Sequence, residues 1–452
     1  MSERLYNTKE KVLARGLEAI GIPLKDIDST NRLKTGKGAI GNIIEESWFG
    51  YKINNESEPD FKEAGVELKV TPYIRNSKGI RAKERLVCNI IDYMEEYQKI
   101  FETSSFYHKC RTILLMSYEH IEGVSKGDFT IDKVVLFGFP EEDLIIIKQD
   151  WQKIIEKVRK GKAHEISEGD TLYLGACTKG TTAKTERNQP FSLVKAKQRA
   201  YSLKQSYMTY ILNTYVFGNR NNEHIFKDPI ELKNIGFEKY ITNRIKPFIG
   251  KSQEELKKHF GVVSNAKNLN EVLLGKMLGI KGRIAYTEEF QKANIIPKTV
   301  RVQCNGYVEE SMSFPIFKFK EIIQEEWETS EFKNYLEQAK FLFIIFRFND
   351  RNDLVFDNLM FWNIPESDLE EVKEVWEKTV STIKNGVKLH TKNNRTYNNL
   401  PKQSENRVSH VRPHGKNSSD TLELPDGRFM TKQCFWLNNT YIRSQIEVAN
   451  LD

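Results

Sequence analysis

The chain repeats itself, and this restricts its architecture more than any other feature of the sequence. GNIIEESWFG (Gly41 to Gly50), a short polar stretch and PDFKEAGVELKVTP (Pro59 to Pro72) are answered in the second half by NEVLLGKMLG (Asn270 to Gly279) and EEFQKANIIPKTVR (Glu288 to Arg301). One offset of 229 aligns Gly50 with Gly279, Phe61 with Phe290, Ala64 with Ala293 and Lys69 with Lys298. Further on, an offset of 225 pairs Asp143-Leu144 with Asp368-Leu369, Trp151 with Trp376 and Gly161 with Gly386. Matches that keep their order over such a length read as two copies of one domain. They predict domains over 1–215 and 236–452, joined through 216–235, where GNRNNEHIFKDP is polar and turn-rich.

At 452 residues, either copy is long enough to bury its own core. The composition, 39% hydrophobic and 29% charged, is that of a globular chain, and no run of about 18 apolar residues is present to span a bilayer. Charges interrupt every apolar stretch of the N-terminus, which has no signal-peptide core; a cytoplasmic protein without membrane contact is expected. Cys88, Cys110, Cys177, Cys304 and Cys434 are odd in number, scattered and never form CxxC, which argues against a disulfide framework and a cysteine zinc site. His410 and His414 lack a cysteine to complete a ligand set and read as loop histidines. A net charge of +7 permits a nucleic-acid partner without requiring one.

Within a copy the pattern is mixed. Residues 8–20, 40–49 and 141–160 carry helical periodicity, whereas 64–71, 86–92, 111–118 and 132–138 read as strands. LYLGACTKG (Leu172 to Gly180) reads as a strand entering a loop, and Lys195 to Val216 as a helix with a basic start. The fold class is α/β, a mixed-sheet α+β domain.

The chemistry concentrates in PDFKEAGVELKV. Extended, Val66, Leu68 and Val70 turn to one face and leave Glu67 and Lys69 adjacent on the other, with Asp60 seven residues before Glu67. An Asp and a Glu converging beside a Lys suit Mg²⁺-assisted phosphodiester hydrolysis: the hard cation takes carboxylate oxygens, and the lysine offsets developing phosphate charge. The same pattern also describes an amphipathic edge strand with a surface Glu and Lys.

The stretch GKGAIGNIIEESWFG followed by PDF and AGVELK resembles the MutH family of DNA endonucleases, which holds mismatch-repair nickases and Sau-type restriction enzymes acting at GATC. The resemblance spans most of 1–215, and its duplicated layout is similar to the restriction branch. It implies a PD-(D/E)xK restriction-endonuclease-like fold, duplicated as two MutH-like domains, with Asp60, Glu67 and Lys69 as the core and Leu68 lending its backbone carbonyl to the metal. An additional helix glutamate of the family falls on Glu45; this chain carries an extra residue before Trp48, which keeps Glu46 as a weaker candidate. The family's second active-site lysine, in an HK pair before an apolar strand, matches Lys109. Implied cofactors are one or two Mg²⁺ ions, with Mn²⁺ as a substitute.

DNA reading is expected downstream, where Thr178 to Lys204 holds Lys179, Lys184, Arg187, Lys195, Lys197, Arg199 and Lys204 against the single acid Glu186. The resemblance makes Lys179 a base-reading lysine, able to donate to guanine O6 and N7. It sets Ser202 where the repair enzymes carry a tyrosine beside the methylatable adenine, so their methylation check is not expected here. In the second copy Glu289 stands opposite Asp60, but Ile296, Pro297 and Leu274 replace Glu67, Leu68 and Glu45. Arg412, His414 and Lys416 nevertheless occupy the place of the Lys179 loop. The reading is a type II restriction endonuclease cutting double-stranded DNA at GATC from its first domain, with a catalytically dead second domain that contacts DNA. Self-association or looping between two sites and a cognate DNA methyltransferase belong to that reading. The alternatives are a nicking repair endonuclease and a DNA-binding regulator without catalysis.

Overall fold

The computed structural model describes residues 6–34, 38–53, 58–77, 79–180, 185–219, 223–226, 230–264, 266–392 and 395–449. They divide into two compact units, Met1–Tyr240 with Tyr286–Asn294, and Ile241–Ala285 with Ile295–Asp452. Among the described residues no helix is long and apolar enough to cross a membrane.

The strands of the first unit are β1 (Glu67–Asn76), β2 (Gly79–Ala82), β3 (Leu86–Ile90), β4 (Thr112–Glu119), β5 (Lys133–Gly138), β6 (Leu174–Thr178), β7 (Glu186–Gln189), β8 (Ser192–Lys197) and β9 (Arg199–Leu203). One sheet runs β2-β1-β4-β5, with β1 parallel to β4 and the other pairs antiparallel, which is the mixed sheet expected. TILLMSYE of β4 is buried at every position except its ends, as an interior strand covered on both faces must be. A second sheet, β3-β9-β6, is antiparallel, and β7 and β8 form a separate ribbon. The helix Glu141–Arg159 buries Ile146, Ile147, Trp151, Ile154, Ile155 and Val158 along one stripe. Its first turn is acidic and its last turn basic, matching the helix dipole. Asp150 of this helix accepts the N–H groups of Leu172, Tyr173 and Leu174 at 2.8, 2.6 and 2.9 Å and so fixes the start of β6.

Residues 195–216 do not form one helix. The ribbon continues to Lys197, β9 follows, and only Gln205–Ile211 is helical before a wider turn over Leu212–Val216. Arg199 to Leu203 are all buried at the centre of the second sheet, and pairing on both edges outweighs the helical spacing of the apolar residues.

The second unit contains β10 (Ile295–Val302), β11 (Met312–Phe317), β12 (Lys340–Phe348), β13 (Leu354–Trp362), β14 (His390–Lys392), β15 (Arg395–Tyr397), β16 (Ser409–Pro413), β17 (Thr421–Glu423), β18 (Phe429–Thr431) and β19 (Gln433–Leu437). Here β10 lies parallel to β12 and β12 antiparallel to β13, while β11-β19-β16 is antiparallel. Pro297 is accommodated because β10 is an edge strand.

Residues 216–235, expected as the joint between copies, lie inside the first unit, and Tyr286–Asn294, expected in the second copy, groups with that unit too. Lys292 accounts for this grouping. It is buried, with Nζ 2.6 Å from Asp143 Oδ1 and paired also with Glu288, and Tyr207 donates its hydroxyl to Asp143 Oδ2 at 2.8 Å.

Candidate active site

Phe61 and Val66 exchange backbone hydrogen bonds, Phe61 N–H to Val66 O at 2.9 Å and Val66 N–H to Phe61 O at 3.3 Å, so the chain doubles back between Asp60 and Glu67. Gly65 sits at φ +63°, where the turn requires a residue without a Cβ. Phe61 is buried against Phe49 and Tyr51, with ring centroids 4.9 and 5.2 Å away, which ties the turn to the end of the preceding helix. The fold thereby sets the two acids against each other. The Asp60 N–H donates to Glu67 Oε2 at 3.2 Å, and the Leu68 N–H donates to Asp60 Oδ2 at 2.9 Å.

Glu67 and Lys69 share a face of β1, but that face is not a surface. Glu67 is 1% exposed, which removes the reading as an amphipathic strand with a surface glutamate, although at Glu67 and Lys69 the strand pairs with β4 alone. Lys69 Nζ lies 2.8 Å from Glu67 Oε1 and donates to the Cys88 carbonyl of β3 at 3.4 Å. Lys109 arrives from the last turn of the helix Ser105–Cys110, whose start is capped by Ser104 Oγ accepting from the Tyr107 N–H at 3.2 Å. Its buried Nζ is 3.6 Å from Glu67 Oε1.

The segment before Trp48, where the resemblance implies an extra residue, forms a π turn. The helix Ala39–Ile43 widens over Ile44–Trp48, so that the Phe49 N–H reaches back to the Ile44 carbonyl at 3.1 Å. This separates the two candidate glutamates. Glu46 faces outward and accepts Arg32 Nε at 2.9 Å, whereas Glu45 faces Asp60, Glu67, Lys69 and Lys109.

Burial, and then repulsion from Asp60 and Glu67, push the Glu45 carboxyl up to about 7. Burial raises Glu67 to about 7 as well, against the pull of Lys69. For Lys69 burial works against the charge, but the neighbouring Glu67 carboxylate outweighs it and holds the ammonium above its ordinary value. Fully ionised, three carboxylates face two ammoniums, a net charge of −1, in surroundings whose burial already disfavours the ionised acids. This hard-oxygen donor set fits a divalent cation. As the side chains lie, no three carboxylate, imidazole or thiol groups among the described residues converge tightly enough to ligate one; Glu67 is turned onto Lys69 and the Asp60 amide.

The model of the DNA mismatch repair enzyme MutH matches residues 49–150, a span that contains Asp60, Glu67, Lys69 and Lys109. Over 485 aligned positions, covering 98% of this chain and 99% of the relative, the chain is 39% identical to the type II restriction enzyme Sau3AI of Staphylococcus aureus. The chain belongs to that family of restriction endonucleases. It is 28% identical to the DNA mismatch repair protein MutH of Shewanella woodyi over 37% of its length and 74% of that protein, and 31% identical to that of Shewanella amazonensis over 34% and 68%. A restriction endonuclease of this family is a site-specific deoxyribonuclease on a PD-(D/E)xK fold, its substrate is DNA, and its kind generally requires a divalent metal.

The expected DNA contacts of this family member divide by burial. Lys179, Lys195 and Lys197 are exposed; Arg187 is half-buried, with Nε donating to Gln198 Oε1 at 2.7 Å. Lys184 lies outside the described residues. Arg199 and Lys204 are corrected to internal braces. Arg199 is 4% exposed and donates to the Ala176 carbonyl at 2.8 Å; Lys204 is 3% exposed and donates to the carbonyls of Glu168 and Thr171 at 2.7 and 2.5 Å. Ser202, fully buried in the central strand β9, presents no surface to a base and is corrected likewise. Arg199 and Lys204 were assigned by counting charge, which takes no account of burial, and Ser202 by the resemblance alone.

In the second unit Lys298 is half-buried, donates to the Ser313 carbonyl at 3.0 Å and is held below the usual lysine value by desolvation. Glu289 accepts the N–H groups of Ile225 and Phe226, and Leu274 is buried. Arg412, His414 and Lys416 are exposed. Sequence reasoning missed their platform, Trp436: Arg412 lies 4.8 Å over its ring and His414 meets it edge-on at 5.3 Å. The alternation in QCFWL was the available signal. His410 is not in a loop but buried in β16, with Nδ1 2.6 Å from Asn438 Oδ1.

Proposed function

We propose that this restriction endonuclease hydrolyses both strands of duplex DNA at GATC with Mg²⁺, through a working centre in the first unit. The observation that carries the reading is the convergence of Glu45, Asp60, Glu67, Lys69 and Lys109 into one partly buried cluster around the buried Glu67. Asp60, Glu67, the Leu68 carbonyl and Glu45 would hold the ion or ions, Mg²⁺ or Mn²⁺. An ion held there would supply polarisation of the scissile phosphate and a more acidic bound water. Lys69, kept protonated beside Glu67, orients a water and lends positive charge as the phosphorane forms; Lys109 adds a second cation on the same carboxylate.

The second unit is, in this proposal, a decayed copy without catalysis that still contacts DNA. Recurring strand orders support the duplication, as do two helices of equal length, Glu141–Arg159 and Glu366–Lys384. Each carries an aspartate bonded by a tyrosine hydroxyl, Tyr207 to Asp143 at 2.8 Å and Tyr441 to Asp368 at 2.6 Å. His414 and Lys179 also hold like places: the His414 N–H donates to Lys432 O at 2.8 Å, and the Lys179 N–H to Gln198 O at 2.9 Å. The exposed Lys179 serves as the base-reading lysine. The test is plasmid digestion in Mg²⁺ with sequencing of the ends. Fragments ending at GATC support the proposal; nicked circles would move the protein to the repair-type activity, and bound but intact DNA would make it a regulator.

A further inference from the structure

The ribbon of β7 and β8 presents a surface that the active centre does not use. Its turn residue Phe191 sits at φ +61°, a conformation that costs a bulky side chain energy and persists only under constraint. The constraint is visible. A Cβ at Gly161, itself at φ +69°, would stand 2.8 Å from the Phe191 carbonyl oxygen, so the turn is pressed against the end of the helix Glu141–Arg159. Buried Gln189 donates from Nε2 to the Val194 carbonyl at 2.5 Å and accepts the Ala163 N–H at 2.6 Å. A ribbon braced in this way is a rigid display.

It displays apolar side chains to water: Phe191 is 73% exposed, Val194 54% and Leu193 entirely. Apolar groups concentrated on one braced element mark a contact surface. Along β8, Leu193, Lys195 and Lys197 share a face by period two and are all exposed, which places neighbouring positions about 6.6 to 6.8 Å apart. The acid of the ribbon is Glu186, across from Lys197. The ribbon also adjoins the Lys179 loop, because Gln198 accepts the Lys179 N–H at 2.9 Å and donates its own N–H to the Thr185 carbonyl at 2.8 Å. A row of cations ending in an aliphatic tip suits duplex DNA, whose phosphates take the lysines while sugars and base edges take the apolar tip.

We infer that this ribbon contacts the duplex flanking the recognition sequence, Lys195 and Lys197 on phosphates and Leu193 with Val194 against the groove wall. The inference rests on reading the Lys179 loop as the base-reading element, and it makes the protein's footprint longer than its site. The full-length chain, held from cleavage by Ca²⁺, is titrated against labelled duplexes carrying GATC within short or long flanks. Wild type binds the long duplex more tightly. The exposed double variant Leu193→Ser/Val194→Ser should lose about tenfold on the long duplex and little on the short one. Lys195→Ala/Lys197→Ala should flatten the dependence of log K on log salt by about 2. Unchanged binding of the long duplex by both variants overturns the inference. So does an apolar variant that alters only self-association in sedimentation, which would make the tip a protein contact. Lys179→Ala in parallel separates the two readings. If it keeps full preference for GATC while the ribbon variants still lose flank affinity, the base-reading assignment fails and the ribbon contact stands; the reverse pattern removes the ribbon alone.

Discussion

Replacing Lys292 by Met removes one charge from the interior of the first unit and leaves most of the side-chain volume in place. Lys292 is 1% exposed, 2.6 Å from Asp143 Oδ1, paired with Glu288, and its ammonium lies 4.5 Å over the Tyr210 ring. Without it two carboxylates stay buried with no cation between them, a change that costs about 3 to 5 kcal/mol. That is a large share of the 5 to 15 kcal/mol, roughly, that holds a typical domain folded. The loss depends on pH. Burial holds Asp143 above the usual carboxylate range even with the lysine present, and removing the lysine raises it further. A carboxyl with a raised folded-state pKa contributes stability below its unfolded value and loses it as pH climbs through the folded value. Lys292→Met should therefore fall furthest behind wild type in mildly alkaline buffer and approach it in mildly acidic buffer. Urea unfolding followed by tryptophan fluorescence, with Trp151 buried on the same helix as Asp143, reads the difference from midpoint and slope. Adding Asp143→Asn should restore part of the loss. A deficit under about 0.5 kcal/mol at alkaline pH, within the range of ordinary surface changes, would refute the argument. A fragment of residues 1–215 keeps every proposed catalytic residue but lacks Lys292 and the rest of the first unit, so its inactivity would not by itself show a lost regulator.

Other outcomes follow from the same geometry. Glu45 and Glu67 both titrate near 7 and must be ionised to ligate a cation, so the apparent Mg²⁺ requirement of cleavage should rise as pH falls through that value; a requirement flat across the range would contradict it. Lys179→Ala should lose about 1 to 3 kcal/mol on GATC duplex and much less on random DNA, and equal losses on both would make it a phosphate contact. With buried Ser202 in place of the repair enzymes' tyrosine, unmethylated and adenine-methylated GATC should both be cut, and complete protection by methylation would count against this. Substrates with two sites should be cut faster per site than those with one, and Arg412→Ala should shrink the difference; equal rates would reduce the second unit to a brace.

The proximity of Asp60, Glu67 and Lys69 was legible because they are local: they lie on one turn and one strand, and period two places Glu67 beside Lys69. Lys109 and Glu45 needed the family resemblance, since nothing in their spacing shows a helix end and a π turn meeting at Glu67. The resemblance ranked Glu45 above Glu46, but the physical reason, a π turn that sends one side chain inward and the other to Arg32, leaves no mark in the spacing. The basic segment misled for a different reason. Charge counting takes no account of burial, and Arg199 and Lys204 spend their donors on main-chain carbonyls inside the second sheet. The matched motifs gave no sign that Tyr286–Asn294 groups with the first unit, since a buried ion pair between residues 143 and 292 leaves no periodic signal.

The most direct test compares the intact protein with Asp60→Ala and Glu67→Ala on plasmid DNA containing GATC in Mg²⁺, with DNA binding measured separately in Ca²⁺. The account predicts site-limited fragments from the wild type, none from either variant, and DNA binding retained by all three. Near-normal cleavage by either variant would place the chemistry elsewhere in the molecule and contradict it.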